Sequence, residues 1–124
     1  MLKASEHAEM VKAYMLYKLE RDTEHELDKE CDLHAEMNGH DWASDDFDIE
    51  AFTEWADNDE HHKKLWARVV EHGDAKRAAL NDFCGWMVKF SGGQIDAKTA
   101  REMAVSPKWS ARLDEIMNQT VVFC

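Results

Sequence analysis

Breaks in regular structure are scarce along this chain, since proline occurs once and glycine five times in 124 residues. These two residue types interrupt helices and form tight turns, so their scarcity favours long helices over a turn-rich β fold. Apolar residues make up 44% of the chain, which is enough to form a core. We therefore predict an all-α fold, a single-domain bundle of five to six helices over 1–124 with one long N-terminal helix.

Capping residues and glycines predict where the helices begin and end. We expect the first helix to run unbroken from Ser5 to Asn38, although the capping-box spacing of Thr23 and Glu26 leaves a break there open. The later elements are a polar loop 39–46, a short helix around 49–56, a helix 60–72 stopped by Gly73, a helix 74–90, a break at 91–93, a short helix 96–104 and a last helix after Ser106-Pro107.

Helical spacing also predicts which side chains are buried. In the first helix the residues at spacings of three, four or eight are Ala8, Val11, Met15, Leu19, Leu27, Cys31 and His34. The third predicted helix has Leu65, Trp66 and Val69 on its apolar side. The fourth has Leu80, Phe83, Cys84, Met87 and Phe90 at core spacing, and the last carries Trp109, Leu113, Ile116 and Met117. The β-branched residues from Thr120 predict an extended tail. Four of the five tryptophans fit core faces in the same way, namely Trp55, Trp66, Trp86 and Trp109.

Negative charge is concentrated in the first half of the chain. The net charge is −11, yet residues 1–60 carry 19 acidic and 5 basic residues, and the half 61–124 is nearly neutral. Phosphates would repel the acidic half, so we expect no direct contact with nucleic acid or with an anionic membrane. A basic protein or a metal cation is the favoured partner.

The acidity of the first helix is ordered in a line. Glu20, Glu24, Asp28, Asp32 and Glu36 follow one another at four-residue spacing and form the acidic row, a single line of carboxylates on a helix. Each like-charged pair at this spacing costs about 0.2–0.5 kcal/mol. Eight acids between residues 20 and 36 give about one charge per 3 Å of helix, close to the ~3.4 Å between phosphates along one DNA strand.

The loop after the first helix supplies further candidate binding residues. Trp42 stands among acids in this loop, and a tryptophan surrounded by acids is a plausible anchor for a partner. We add it and the acids Asp45, Asp46 and Asp48 to the acidic row as predicted partner-binding residues. A loop pinned onto the core by Trp42 is an equally good interpretation.

Histidines and cysteines support a metal-binding alternative. Cys31 and His34 have the short spacing of metal ligands, His40 follows, and Asp59, His61 and His62 would join them if the helices fold back. The paired Glu-x-x-His motifs of di-iron bundles and the His-Glu-x-x-His motif of metalloproteases are absent from the sequence. It also lacks a nucleophile elbow and a phosphate-binding loop, so we expect no catalytic residues and no cofactor.

The sequence therefore favours a non-enzymatic protein-binding module. Its sharpest form is an acidic inhibitor of a basic nucleic-acid-handling protein, either a DNA mimic or an immunity-type partner of a toxin, of the kind found in phages and mobile elements. Three scattered cysteines and the lack of an apolar signal or membrane-spanning segment predict a cytoplasmic protein. The alternatives are a metal-binding helical bundle that uses Cys31, His34 and His40, and a self-assembling protein such as a homodimer.

Overall fold

A computed structural model describes residues 2–118 of the chain. Over these residues the fold is all-α, without a β-strand, which confirms the predicted class. The long N-terminal helix is also confirmed and continues past Asp22 and Thr23 without a break. The five α-helices of this range are α1 Ala4–Met37, α2 Ile49–Asn58, α3 Glu60–Phe90, α4 Ala97–Val105 and α5 Ser110–Asn118, with a one-turn 3-10 helix Pro107–Trp109 before α5.

The predicted break at Gly73 is wrong, because α3 continues through this residue to Phe90. An interior glycine costs a helix about 1 kcal/mol relative to alanine, which weakens a helix without ending it. Leu65, Val69, Leu80 and Phe83 on either side of Gly73 are buried. Packing of the whole apolar face therefore outweighs the local signal.

The chain divides into two compact units. Unit 1 is built from residues 1–19 and 75–124, and unit 2 from the contiguous segment 20–74. Helices α1 and α3 each contribute residues to both units. The single domain inferred from the sequence stays a prediction.

Unit 1 holds the larger core of the described residues. Phe83 and Met87 of α3, Met10 of α1 and Leu113 of α5 are its largest fully buried side chains. Ala100 of α4 has no exposed surface, which lets this short helix approach the others closely. The predicted core positions of α3 and α5 are confirmed here at Leu80, Phe83, Cys84, Met87, Leu113, Ile116 and Met117.

The predicted apolar face of α1 is wrong in its first half. Met15 and Leu19 are 63% and 62% exposed, whereas Met10, Tyr14 and Tyr17 are buried. The tyrosine rings bury a large area, and the Tyr14 hydroxyl donates a hydrogen bond of 3.1 Å to Oδ1 of Asp114, so its polar end is also satisfied. A tyrosine whose hydroxyl has a hydrogen-bond partner is therefore buried here in preference to a purely apolar side chain.

Unit 2 has a much smaller buried core. Its cluster consists of Leu27 and Cys31 from α1 and of Leu65 and Val69 from α3. These positions agree with the sequence analysis, but Trp66 does not, because it is half exposed. Helix α2 contributes no buried residue. Polar and aromatic contacts must therefore fix much of this unit.

No helix within residues 2–118 is both long and apolar enough to cross a lipid bilayer.

The Ser91–Gly93 break is confirmed, with Gly92 and Gly93 at positive φ, and Asp96 caps α4 by accepting a bond from the backbone N–H of Thr99. Ser106 occupies the predicted cap position, but its side chain makes no capping hydrogen bond. The extended tail predicted from Thr120 lies outside the described residues.

Two glycines make a matched test of the helix ends. A Cβ at either Gly85 or Gly92 would meet open space, but Gly85 is helical and Gly92 has φ +65°. We expect Gly85→Ala to raise the free energy of unfolding by about 0.5–1 kcal/mol and Gly92→Ala to lower it by about 1 kcal/mol. Urea denaturation measures both. A stabilising Gly92→Ala would contradict the left-handed turn after α3.

Candidate partner-binding surface

The acidic row lies on the part of α1 that belongs to unit 2. Asp28, Asp32 and Glu36 are exposed, and Glu20 and Glu24 are partly buried. Glu20 is drawn inward by a contact of 2.5 Å between its Oε2 and Nδ1 of His72 in α3. The outer three carboxylates are thus presented to solvent, while the first one bonds α1 to α3.

Burial and neighbouring negative charge act together on two residues in this part of α1. Burial and the neighbouring charge of Asp28 raise the pKa of Asp32. Burial, followed by the charges of Asp28, Asp32 and Glu30, raises the pKa of the Cys31 thiol to about 11. The surface therefore carries a negative potential that disfavours any further anion and favours a cation.

Asp59 joins three helices of unit 2. Its backbone N–H donates to the carbonyl of Trp55 at the end of α2, and its Oδ2 accepts a 2.8 Å bond from the backbone N–H of His62 in the first turn of α3. The same oxygen lies 2.6 Å from Nε2 of His34 in α1. These hydrogen bonds, that with His34 above all, lower the pKa of Asp59. One carboxylate therefore ends α2, starts α3 and attaches both to α1.

An aromatic cluster surrounds this junction. Trp42 stacks on Phe47, with ring centroids 4.3 Å apart, and its edge approaches Phe52 at 5.1 Å. Phe52 and Trp55 of α2 in turn contact His62 of α3 at 5.8 and 5.1 Å. Contacts among rings therefore hold the loop and α2 in place where buried aliphatic residues are few.

Trp42 packs against other rings and also reaches the surface of the protein. It is pinned to Phe47 and Phe52, yet 54% of its surface remains exposed. Asp45 and Asp46 are exposed in the same loop. Asp48 caps α2, because its Oδ1 accepts bonds from the backbone N–H groups of Glu50 and Ala51. Asp48 therefore has a structural task in addition to its charge.

A cavity of about 560 Å³ lies within unit 2 beside the acidic row. Asp28 and Asp32 line it from α1, Trp42 from the loop, and Asp57 and Trp66 from α2 and α3. The cavity thus connects the predicted row with the predicted tryptophan. Its remaining lining residues are Cys31, Ala35, Phe52, Thr53, Ala56, His62, Lys63 and Ala67.

The residues of the metal-binding alternative make other contacts. Cys31 is buried in the small core, His34 bonds Asp59 and His40 packs on Trp55, with ring centroids 4.9 Å apart. His34 and His61 approach each other edge to face at 4.5 Å. Within residues 2–118, no group of three or more His, Cys, Asp or Glu side chains is arranged to hold a metal ion.

The sequence did not identify Trp66, Asp57 and His62 as binding residues, and the reason differs for each of them. Trp66 stands at a core spacing, and only the small size of the neighbouring core leaves it half exposed. Asp57 was one acid among many. His62 enters the prediction only as a candidate metal ligand, although it stands three residues before Leu65 and seven before Val69, a helical spacing that places it on the buried side of α3. That helical spacing was the signal from which the burial of His62 could have been predicted.

Comparisons with protein-family models, with curated proteins and with solved structures find no significant match to this chain.

Opposite pKa shifts give Asp59 and Asp32 opposite effects on stability. The lowered pKa of Asp59 means that its charge stabilises the fold above pH ~4 and that this stabilisation is lost as pH falls through the lower folded value. The raised pKa of Asp32 means that its charge is unfavourable at neutral pH. We expect Asp59→Asn to lower the neutral-pH free energy of unfolding and Asp32→Asn to raise it.

Urea denaturation between pH 3 and pH 7 checks both variants. Both differences from the wild type should shrink towards the acid end of the range, because the wild-type carboxyls then become protonated. Equal signs for the two variants at pH 7 would contradict the assigned roles.

Proposed function

We propose that the chain is a non-enzymatic, cytoplasmic inhibitor that binds a basic nucleic-acid-handling protein through the acidic surface of unit 2. The observation that carries the proposal is the exposed end of the acidic row, where Asp28, Asp32 and Glu36 lie on one face of α1. Carboxylates at this spacing accept charge-assisted hydrogen bonds from arginine and lysine in place of phosphates.

The energetics of α1 support a binding role over a solubilising one. Only Arg21 and Lys29 supply positive charge between Glu20 and Glu36, and Lys29 bonds to Glu26, outside the row. A surface selected for solubility would mix signs, because opposite charges at four-residue spacing stabilise a helix. Like-charge repulsion at the exposed end of the row lowers the stability of the free protein, and a basic partner that neutralises Asp28, Asp32 and Glu36 relieves it.

The rigidity of the display supports a nucleic-acid mimic in particular. The acids belong to a continuous helix whose other face is anchored by Leu27 and Cys31. A rigid anionic surface binds without the ordering cost of a disordered acidic tail. Such a surface would compete with DNA or RNA for the partner's phosphate-binding groove.

A three-residue charge reversal tests this role. We expect Asp28→Lys, Asp32→Lys and Glu36→Lys together to abolish partner binding while leaving the isolated fold as stable or more stable, because like-charge pairs are removed. At about 1.5 kcal/mol for each lost charge-assisted bond, binding weakens by about a thousandfold. The matched control reverses Glu9, Asp82 and Glu102, which are equally exposed but lie in unit 1.

The measurement uses host proteins that have first been retained on immobilised duplex DNA or RNA and then eluted. The wild-type chain should retain a member of this fraction at low salt and release it at high salt or on addition of duplex. The row variant should fail to retain it and the control variant should succeed. Equal retention by both variants, or retention that ignores salt and duplex, overturns the proposal.

A further inference from the structure

The cavity of unit 2 has features that an acidic surface does not require. Its volume of about 560 Å³ falls within the range of 300–1,000 Å³ that is typical of ligand pockets in proteins. Its walls come from α1, α2, α3 and the loop before α2. Both aromatic and acidic side chains line it, a combination that suits a ligand with a flat cationic group.

Two tryptophans supply the aromatic surface. Trp42 and Trp66 are 54% and 50% exposed and both line the cavity. The face of an indole attracts a cation, and desolvation strengthens this attraction. Large aromatic side chains that remain half exposed beside a cavity are typical anchors at protein interfaces.

Three aspartates supply the negative charge. Asp28, Asp32 and Asp57 line the cavity and are exposed. The cation that lines it is Lys63, whose Nζ lies 3.4 Å from Oε1 of Glu60. The ammonium of Lys63 is therefore directed to a glutamate outside the lining, and the cavity retains a net negative charge.

His62 adds a buried aromatic ring to the wall of the cavity. It lines the cavity, is only 9% exposed, and lies against Phe52 and Trp55 with ring centroids 5.8 and 5.1 Å apart. Burial lowers the pKa of His62, so its imidazole adds no positive charge that would repel a cation at neutral pH.

We infer that this cavity receives an arginine side chain of the basic partner. The guanidinium would stack on Trp42 or Trp66 and donate N–H bonds to the aspartates at the cavity. Arginine fits these groups better than lysine, because its planar fork offers five donors and stacks on aromatic faces. The inference rests on the proposed basic partner and assigns it a defined anchor.

The test titrates the full-length chain with three capped pentapeptides that differ only in their central residue, which is arginine, lysine or citrulline between glycines. Citrulline keeps the shape of arginine and lacks its charge. We expect saturable binding of the arginine peptide by calorimetry, at least about tenfold weaker binding of the citrulline peptide, and intermediate binding of the lysine peptide. Equal affinities, or no saturable binding of the arginine peptide, overturn the inference.

Variants identify the cavity as the site of binding. Trp66→Ala removes a half-exposed ring that lies outside the small core, and its matched control is Trp109→Ala, which alters a partly exposed tryptophan of unit 1. We expect Trp66→Ala to weaken arginine-peptide binding about tenfold and Trp109→Ala to leave it unchanged. Equal effects of the two variants overturn the assignment.

A second pair of variants tests the polar contacts. Asp57→Asn removes one charge at the cavity, and Asp46→Asn removes one charge in the exposed loop outside the lining. Asp57→Asn should weaken arginine binding, whereas Asp46→Asn should not. Equal affinities of these two variants overturn the inference.

Failure of this inference differs from failure of the proposed function. A chain that binds its nucleic-acid-handling partner but does not distinguish arginine from citrulline loses only the arginine anchor. A chain that binds the arginine peptide but retains no nucleic-acid-handling protein loses only the proposed function. Concentration-dependent dimerisation in light scattering that excludes the arginine peptide would assign the cavity to a second copy and overturn the inference.

Discussion

The hydrogen bond between Asp59 and His34 is the interaction on which unit 2 depends. Four buried side chains form its small core, and α2 buries none. Asp59 offsets this deficit because it caps α3, ends α2 and reaches His34 of α1 across 2.6 Å. The loop with Trp42 and the cavity beside it are positioned by the same junction, so one carboxylate organises the surface that we assign to binding.

In the second half of α1, the exposed acidic row lowers the stability of the helix that carries it. The inner face of its second half contributes only Leu27, Cys31 and Ala35 to buried surface, while the outer face carries the acidic row. Burial and the neighbouring charge of Asp28 both raise the pKa of Asp32, so its charge is unfavourable in the folded protein. Such an arrangement is costly for a free helix and favourable for one that meets positive charge, which is why charge rather than apolar area is the basis of the proposed recognition.

Helix existence and the acidic row could be predicted from the sequence because both depend on local spacing. The buried face of the first half of α1 and the break at Gly73 were predicted wrongly, because both depend on packing between residues that are far apart in the sequence. Tyr14 is buried in preference to Met15 because Asp114 accepts its hydroxyl hydrogen bond, and α3 continues through Gly73 because both sides of it are packed. The cavity could not be predicted, since Trp66 and His62 line it together with Trp42 only after the loop and α2 fold back.

The bond between Glu20 and His72 has a consequence for chain entropy. Unit 2 is one contiguous segment, 20–74, whereas unit 1 is assembled from the segments on either side of it. Joining those segments across an unstructured loop of this length would cost about 3–4 kcal/mol by the (3/2)RT ln n relation. In folded unit 2, Glu20 and His72, near its two ends, are 2.5 Å apart. The bond between them therefore closes the segment 20–74 near its ends, and the entropy of that closure is lost when unit 2 itself folds.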